Sequence, residues 1–163
     1  MTAGIEEEKA APPLEPSPIR WGRPYEELTS DEKAGAWFTD GWSRWVSGRQ
    51  RWKAAALRPS DDAQLIQEGE GGSSQLAELV AVTLPSSLPT KEIRIYTDSR
   101  AVANGMAIWM VSWQMHQWTV HNKPIWGKEY WQQIWQEVRR RDIYVYPVNA
   151  HQEDISPTTL YNS

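Results

Sequence analysis

The sequence contains no cysteine among its 163 residues, and it has only three histidines and one phenylalanine. Without cysteine the chain can form no disulfide, thiol nucleophile or cysteine zinc site, which is typical of proteins from a reducing compartment. It also lacks an apolar run near the roughly 20 residues of a membrane span. Its Glu-rich start has none of the apolar character of a signal peptide. We therefore expect an intracellular, cytoplasmic protein with no membrane partner.

An overall excess of basic residues is absent as well, because the formal net charge is −4. Residues 1–32 hold eight acids and three bases, whereas residues 33–163 hold 13 acids and 14 bases. Five prolines lie among the charges of residues 1–30, which predicts an acidic, Pro-rich linker or tail that is largely disordered. Trp21 and Tyr25 are candidates for packing back onto the folded part of the chain.

Two short apolar segments end in Thr-Asp. Residues 92–97 alternate between apolar and polar side chains, which predicts a strand that delivers Asp98 to its carboxyl end. Ser99 follows as the cap of a helix. The segment Phe-Thr-Asp-Gly repeats this pattern with Asp40, and Gly41 allows a close approach to the backbone. A capped turn from strand to helix explains either aspartate equally well when it is considered alone.

Hydrophobic periodicity and turn residues predict the remaining elements. Trp109 and Trp113 lie four residues apart, as do Trp131 and Trp135, which favours two helices packed on each other in the core. The predicted order is strands over residues 36–41, 51–57 and 63–68, a helix over 75–84 that ends at Pro85, a strand over 92–98, helices over 100–113 and 124–140, and a strand over 142–148.

Four motifs in this order, Phe-Thr-Asp-Gly, Gln-Leu-Ala-Glu-Leu, Tyr-Thr-Asp-Ser-Arg and Val-Asn-Ala-His, closely resemble the ribonuclease H domain of retroviral and retroelement Pol polyproteins. The resemblance covers about residues 34–155. The helix around Trp131 also looks like endogenous retroviral sequences of vertebrates. The resemblance implies an α/β ribonuclease H-like fold over residues 34–163. Its five-stranded mixed sheet has three antiparallel strands, then parallel strands, and is flanked by helices.

The resemblance also implies a reaction. The family hydrolyses the RNA strand of RNA–DNA hybrids with two Mg²⁺ ions, which Mn²⁺ can replace and which prefer oxygen ligands. Asp40, Glu78 and Asp98 match three of the family's metal ligands, and His151 matches a histidine used for proton transfer or product release. The family's fourth carboxylate lies on a further C-terminal helix. We expect this helix to be missing and Asp154 to substitute for its carboxylate, which would impair activity.

Substrate contacts follow by the same resemblance. Gln75 matches a residue that reaches into the minor groove of the hybrid, and the backbone of Gly41 is expected on the RNA side. Ser99 and Arg100, at the start of a helix, are assigned to the substrate as well, although Arg100 could instead pair with a carboxylate. The chain departs from the family at Trp42, where a small residue is common.

Two classes of function stay open at this point. The first is an endoribonuclease specific for RNA–DNA hybrids. Its partner would be a reverse transcriptase domain or another protein, and it would be associated with the virion if the chain derives from a retroviral Pol polyprotein. The second is a catalytically weak or inactive domesticated domain that binds nucleic acid or protein. In the second case Glu78 would be an ordinary solvated helix residue, and His151 an ordinary surface histidine. Trp42, Trp118 and Trp126 are candidates for stacking on bases or contacting the DNA strand.

Overall fold

The computed structural model describes Ile5 and residues 15–149 of the chain. Its strands form a six-stranded sheet and a separate two-stranded ribbon, and helices pack on the sheet. The strands are β1 (Arg20–Trp21), β2 (Ala36–Val46), β3 (Arg49–Arg58), β4 (Ala63–Glu70), β5 (Glu92–Thr97), β6 (Thr119–Val120), β7 (Lys123–Pro124) and β8 (Asp142–Pro147). The helices are α1 (Ser30–Lys33), α2 (Ser74–Ser86), α3 (Arg100–Asn104), α4 (Met110–Met115) and α5 (Lys128–Glu137).

The sheet has the strand order β1-β8-β5-β2-β3-β4. β2, β3 and β4 pair antiparallel, whereas β5 pairs parallel with β2 and with β8. This confirms the predicted mixed sheet, in which three antiparallel strands are followed by parallel ones. The sixth strand, β1, pairs parallel with β8 and was not predicted.

The alternating pattern of β5 places its side chains on two different cores. Ile93 and Ile95 are fully buried in the large core between the sheet and the helices. Tyr96 faces the other way, where its ring stacks on that of Phe38 with centroids 4.9 Å apart. Because both faces of β5 are covered, this strand is buried throughout except at Glu92. It is the central support of the carboxyl edge of the sheet.

Several helix boundaries differ from the sequence prediction, and two of them have a clear local cause. Helix α2 continues through Pro85 to Ser86, because a proline in the last turn removes only one backbone donor. Helix α5 begins at Lys128 rather than at Pro124, because Pro124 pairs with Thr119 in the ribbon. Gly127 then turns the chain into the helix with a left-handed φ of 74°.

Tryptophans fill the space between the helices, as their spacing predicts. Trp131 is fully buried, and its ring lies 5.0 Å from that of Trp113. Gly105 makes this contact possible, because a Cβ there would lie 2.4 Å from the Trp131 ring. Gly105 also begins the π-helical turn Gly105–Trp109, which joins α3 to α4. Trp118 belongs to the same core and is only 9% exposed, so the suggestion that it stacks on bases is wrong.

The described part of the N-terminal segment packs on the sheet. The Tyr25 ring lies edge-on to Phe38 and Tyr96, with centroids 5.3 and 5.9 Å away. The Tyr96 hydroxyl donates a hydrogen bond of 2.6 Å to the Arg23 carbonyl. With β1 in the sheet, residues 20–30 are therefore joined to the domain, and the predicted linker does not extend over them.

An ion-pair chain fixes the same segment. The Glu32 carboxylate accepts hydrogen bonds from Arg23 at 2.5 Å and from Arg94 at 3.2 Å. The Arg94 side chain is only 8% exposed, and its guanidinium also lies 4.3 Å from the Tyr144 ring centroid. A buried guanidinium needs such partners to offset its desolvation.

Within the described residues, no helix is both long enough and apolar enough to span a membrane.

The N-terminal contact can be tested with Tyr25→Ala. Loss of the two edge-on aromatic contacts should lower the free energy of unfolding by about 2 kcal/mol. Trp21→Ala is the matched control, because the Trp21 side chain is 47% exposed and its removal should cost about 0.5 kcal/mol or less. Urea unfolding followed by far-UV circular dichroism measures both. Equal losses for the two variants would contradict the packing of this segment.

Candidate active site

The parallel pairing of β2 with β5 brings two carboxylates to the same edge of the sheet. Thr39 and Thr97 are register partners, and Asp40 and Asp98 are the next residues along their strands. Adjacent strands lie about 4.8 Å apart, so the two aspartates start from neighbouring backbone positions. This register brings the backbones of Asp40 and Asp98 together at the carboxyl ends of β2 and β5.

Gly41 brings the third carboxylate to the same place. A Cβ on Gly41 would lie 2.3 Å from the Ala77 carbonyl carbon and 2.4 Å from the Glu78 nitrogen. The backbone of β2 therefore touches the backbone of α2, which only a residue without a side chain permits. Because Asp40 precedes Gly41 on β2, this contact places Glu78 of α2 beside Asp40.

Ser99 links the end of β5 to helix α3 and lies near Glu78. Burial raises the pKa of Glu78 most, and the nearby Ser99 hydroxyl acts in the opposite direction. The hydroxyl accepts a hydrogen bond of 3.2 Å from the Val102 N–H as the cap of α3, and the Ser99 N–H donates to the Thr97 hydroxyl at 3.1 Å. Ser99 is only 8% exposed, and the structure confirms its predicted role as the helix cap. Sequence reasoning did not show that it lies near Glu78.

The carboxylates interact electrostatically. Burial, followed by the charges of Asp98 and Asp40, raises the pKa of Glu78 from 4.5 to about 7. Burial and the Asp40 charge also raise the pKa of Asp98. Like charges that are close and partly desolvated disfavour each other's ionised form. Each of the three carboxylates is thus within electrostatic reach of the other two.

Asp98 also has an unsatisfied oxygen. Its Oδ1 atom is buried and has no hydrogen-bond partner. Such an orphan acceptor is costly in a protein interior and is often explained by an ion or a water. Among the described residues, however, no three His, Cys, Asp or Glu side chains are already arranged as a metal site.

The other predicted site residues have different surroundings. The Gln75 side-chain oxygen accepts a hydrogen bond of 3.0 Å from the N–H of Ile5, an N-terminal residue. Arg100 is exposed and forms no ion pair within the described residues, so its predicted pairing with a carboxylate is not seen there. His151 and Asp154 lie outside the described residues, and their assignments stay predictions.

A six-stranded mixed sheet, with carboxylates on β2, α2 and the end of β5, defines the class of α/β proteins with a ribonuclease H-like fold. The sequence model of the RNase H family matches residues 32–159, and the chain belongs to this family. The match contains all three carboxylates as well as the two predicted site residues that lie outside the described part.

Bacterial ribonucleases H are among its relatives. The chain is 29% identical to ribonuclease H of Agrobacterium fabrum over 118 residues, which are 70% of this chain and 80% of the relative. It is 30% identical to the Rhizobium johnstonii enzyme over 118 residues, covering 70% and 78% of the two chains. Ribonuclease HI of Pseudomonas aeruginosa is 27% identical over 131 residues, 77% of this chain and 86% of the relative.

The fold also resembles a solved structure, the prototype foamy virus protease-reverse transcriptase. The TM-score is 0.62 at 20% sequence identity, and the match covers 84% of this chain. It covers only 20% of the viral chain. At this identity the likeness concerns the fold alone.

The backbone contact at Gly41 predicts a large effect of one methyl group. Gly41→Ala should lower the free energy of unfolding by about 3 kcal/mol, because α2 must move away from β2. Gly48→Asn is the control, since Gly48 has a left-handed φ of 78°, which asparagine tolerates, and no atom lies within 4 Å of its Cβ position. Thermal unfolding measures both variants. A Gly41→Ala protein as stable as the control would contradict the close approach.

The raised pKa of Glu78 predicts how stability depends on pH. Between about pH 4.5 and 7 the folded protein keeps a proton that the unfolded chain releases, so Glu78 destabilises the fold progressively as the pH rises. With allowance for solvent screening of this half-buried group, Glu78→Gln should stabilise the protein by about 1–2 kcal/mol at pH 8. The gain should vanish near pH 4.

Urea unfolding at the two pH values, with a chelator present, measures this difference. Glu129→Gln removes an exposed glutamate of α5 and should show no comparable dependence on pH. A Glu78→Gln protein that is less stable than wild type at pH 8 would show that the carboxylate is stabilised by its surroundings, contrary to the pKa shift.

Proposed function

We propose that this protein is an endoribonuclease that hydrolyses the RNA strand of RNA–DNA hybrids with two bound divalent cations. Membership of the RNase H family supports the activity on hybrids. The observation that carries the metal chemistry is the mutual electrostatic influence of Asp40, Glu78 and Asp98, three carboxylates from separate elements. A protein accepts such repulsion where a function requires concentrated negative charge.

The residues present fit hard cations such as Mg²⁺ or Mn²⁺. All three candidate ligands offer carboxylate oxygens, which these ions prefer over nitrogen or sulfur. The buried, unpaired Oδ1 of Asp98 would gain a partner, and the proton that Glu78 holds near neutral pH would be released. When bound, such ions activate the attacking water and stabilise the leaving 3′ oxygen of an in-line displacement.

The chain's own residues hold this arrangement in place. Asp40 lies on β2, and Asp98 directly follows the neighbouring strand β5. The β2–α2 backbone contact at Gly41 fixes the position of Glu78 relative to them. We propose that the nearby Ser99 hydroxyl helps to orient the Glu78 carboxylate. Such restraint lowers the reorganisation needed when the substrate binds. We assign proton transfer or product release to His151, and a supporting metal contact to Asp154.

For the substrate, we propose contacts from Gln75, the Gly41 backbone and Arg100. Gln75 lies one turn before Glu78 on α2, so its amide can reach the groove beside the scissile phosphate. Its oxygen is engaged by the Ile5 N–H, which the substrate must displace or share. Arg100 is exposed beside Asp98 and is free of ion pairs within the described residues, which suits a phosphate contact.

A retroelement origin, with a reverse transcriptase domain as partner, is part of the same proposal. It is supported by the resemblance of the four motifs and of the helix around Trp131 to retroviral sequences. The bacterial relatives do not distinguish this origin from a cellular one.

The proposed activity is tested by a cleavage assay on four labelled substrates: an RNA–DNA hybrid, double-stranded RNA, single-stranded RNA and double-stranded DNA. We expect cleavage of the RNA strand of the hybrid alone, in Mg²⁺ or Mn²⁺ and not with a chelator. Asp98→Asn should reduce the rate by about 100-fold or more and leave the fold intact, because it removes a charge at constant shape.

Asp142→Asn is the matched control, because Asp142 is an exposed carboxylate at the opposite end of the parallel strands and should not affect the rate. An Asp98→Asn protein that cleaves hybrids at the wild-type rate would overturn the assignment. Hybrid binding without cleavage in either metal would favour the alternative of a catalytically inactive binding module.

A further inference from the structure

Beyond the carboxylates, β2 and β3 continue as a hairpin arm, residues 42–53, which is mostly exposed between Arg44 and Arg51. Asp40 pairs with Ala55, Trp42 with Lys53, and Arg44 with Arg51. Directly paired residues of antiparallel strands share a face, and residues two apart along a strand share it as well. The face that carries Asp40 therefore runs without interruption onto the arm.

This face of the arm is basic. Its paired residues include four cations, Arg44, Arg49, Arg51 and Lys53. Two carboxylates from β4 lie opposite them: Glu70 pairs with Arg51 in the register, and Glu68 with Lys53. Four cations against two anions leave a net charge of +2 on this face, within a chain whose overall net charge is −4.

The cations differ in how far they are neutralised. The Glu70 carboxylate lies 3.5 Å from Arg49 and 3.4 Å from Arg51, so one anion serves both. Arg44 is exposed, and neither it nor Lys53 forms an ion pair within the described residues. Arg44 and Lys53 are therefore the charges that an external anion can neutralise with the least competition.

The Trp42 ring holds the Lys53 ammonium group by a cation–π contact. The Lys53 ammonium lies 5.8 Å from the centroid of the Trp42 ring, within the range of a cation–π contact. The ring flanks a cavity of about 270 Å³, which is bounded by Arg44, Arg51 and Glu68 among others. Since one face of the ring is turned to a cation, Trp42 is better suited to holding Lys53 toward a phosphate than to stacking on an unpaired base.

We propose that the hairpin arm binds the phosphate backbone of the hybrid beyond the scissile position, with Arg44 and Lys53 as the principal contacts. The inference rests on the proposed function, because it requires a duplex at the carboxylates. The distance suits it: four strand residues separate Asp40 from Arg44, about 13 Å, which corresponds to a few base pairs along a duplex. The bulky Trp42 beside the first carboxylate is then part of the binding surface.

The test uses the complete 163-residue chain and the variant Arg44→Gln/Lys53→Gln. With a hybrid of about 18 base pairs, KM should rise about tenfold while kcat changes less than twofold. The slope of log KM against log salt concentration should become shallower by about two, one for each lost phosphate contact. With a hybrid of about six base pairs, which from a central cleavage site can reach Lys53 but not Arg44, the rise in KM should be clearly smaller than with the longer hybrid.

The control variant is Arg139→Gln/Arg140→Gln, which removes two exposed arginines after α5 and changes the net charge equally. Its KM and salt slope should match those of the wild type. Arg44→Lys keeps the charge and should retain at least half of the wild-type affinity, which separates a role in binding from one in folding.

The two proposals fail in different ways. A wild-type chain that neither binds nor cleaves hybrids refutes the proposed function. Normal cleavage with an unchanged KM and salt slope in the arm variant refutes only the arm.

Discussion

The contact between the backbones of Gly41 and α2 is the constraint on which the site depends. Strand β2 and helix α2 meet with no side chain between them, so the helix lies closer to the sheet at this point than ordinary packing allows. That proximity gives Glu78 access to the edge where Asp40 and Asp98 already lie by strand register. A single missing Cβ thus converts two neighbouring aspartates into a set of three carboxylates.

The electrostatics of this edge are unfavourable to the isolated fold. Three carboxylates from three elements are held near one another, and Glu78 and Asp98 have raised pKa values. Two features of the fold offset this repulsion. Strand β5 is buried on both faces, and a tryptophan-rich core surrounds Trp131. A stable sheet and core that tolerate unfavourable charge at one edge are typical of an enzyme.

Sequence reasoning predicted the elements that have a strong local signal. The alternation of residues 92–97 and the repeated Thr-Asp endings were sufficient to place Asp40 and Asp98 at the carboxyl ends of two strands, and the resemblance to the family grouped them with Glu78. It failed where distant contacts decide the outcome. Pro124 reads as the first turn of a helix but pairs with Thr119 across a ribbon. Trp118 has no helical neighbours in the sequence, yet it lies in the core.

The role of residues 20–33 was missed for the same reason. Prolines and charges are typical of a linker. The aromatic character of Tyr25 suggested that it packs on the domain, but the sequence does not indicate that its partners are Phe38 and Tyr96 or that Glu32 meets Arg94. Ser99 shows the intermediate case. Its position before α3 predicts a cap, but its proximity to Glu78 depends on a helix more than ten residues earlier in the chain.

The short strand β1 has a consequence for the behaviour of the protein at high concentration. An uncovered edge strand offers unpaired N–H and C=O groups to any other chain and is a common origin of aggregation. Here β1 and the following Gly22 N–H, which donates to the Val145 carbonyl, occupy the outer edge of β8. The opposite edge, β4, carries exposed Glu68 and Glu70, whose charges oppose the approach of another strand. The N-terminal segment therefore covers the β8 edge at Tyr144 and Val145, and a version of the domain that begins at residue 34 would expose these backbone groups.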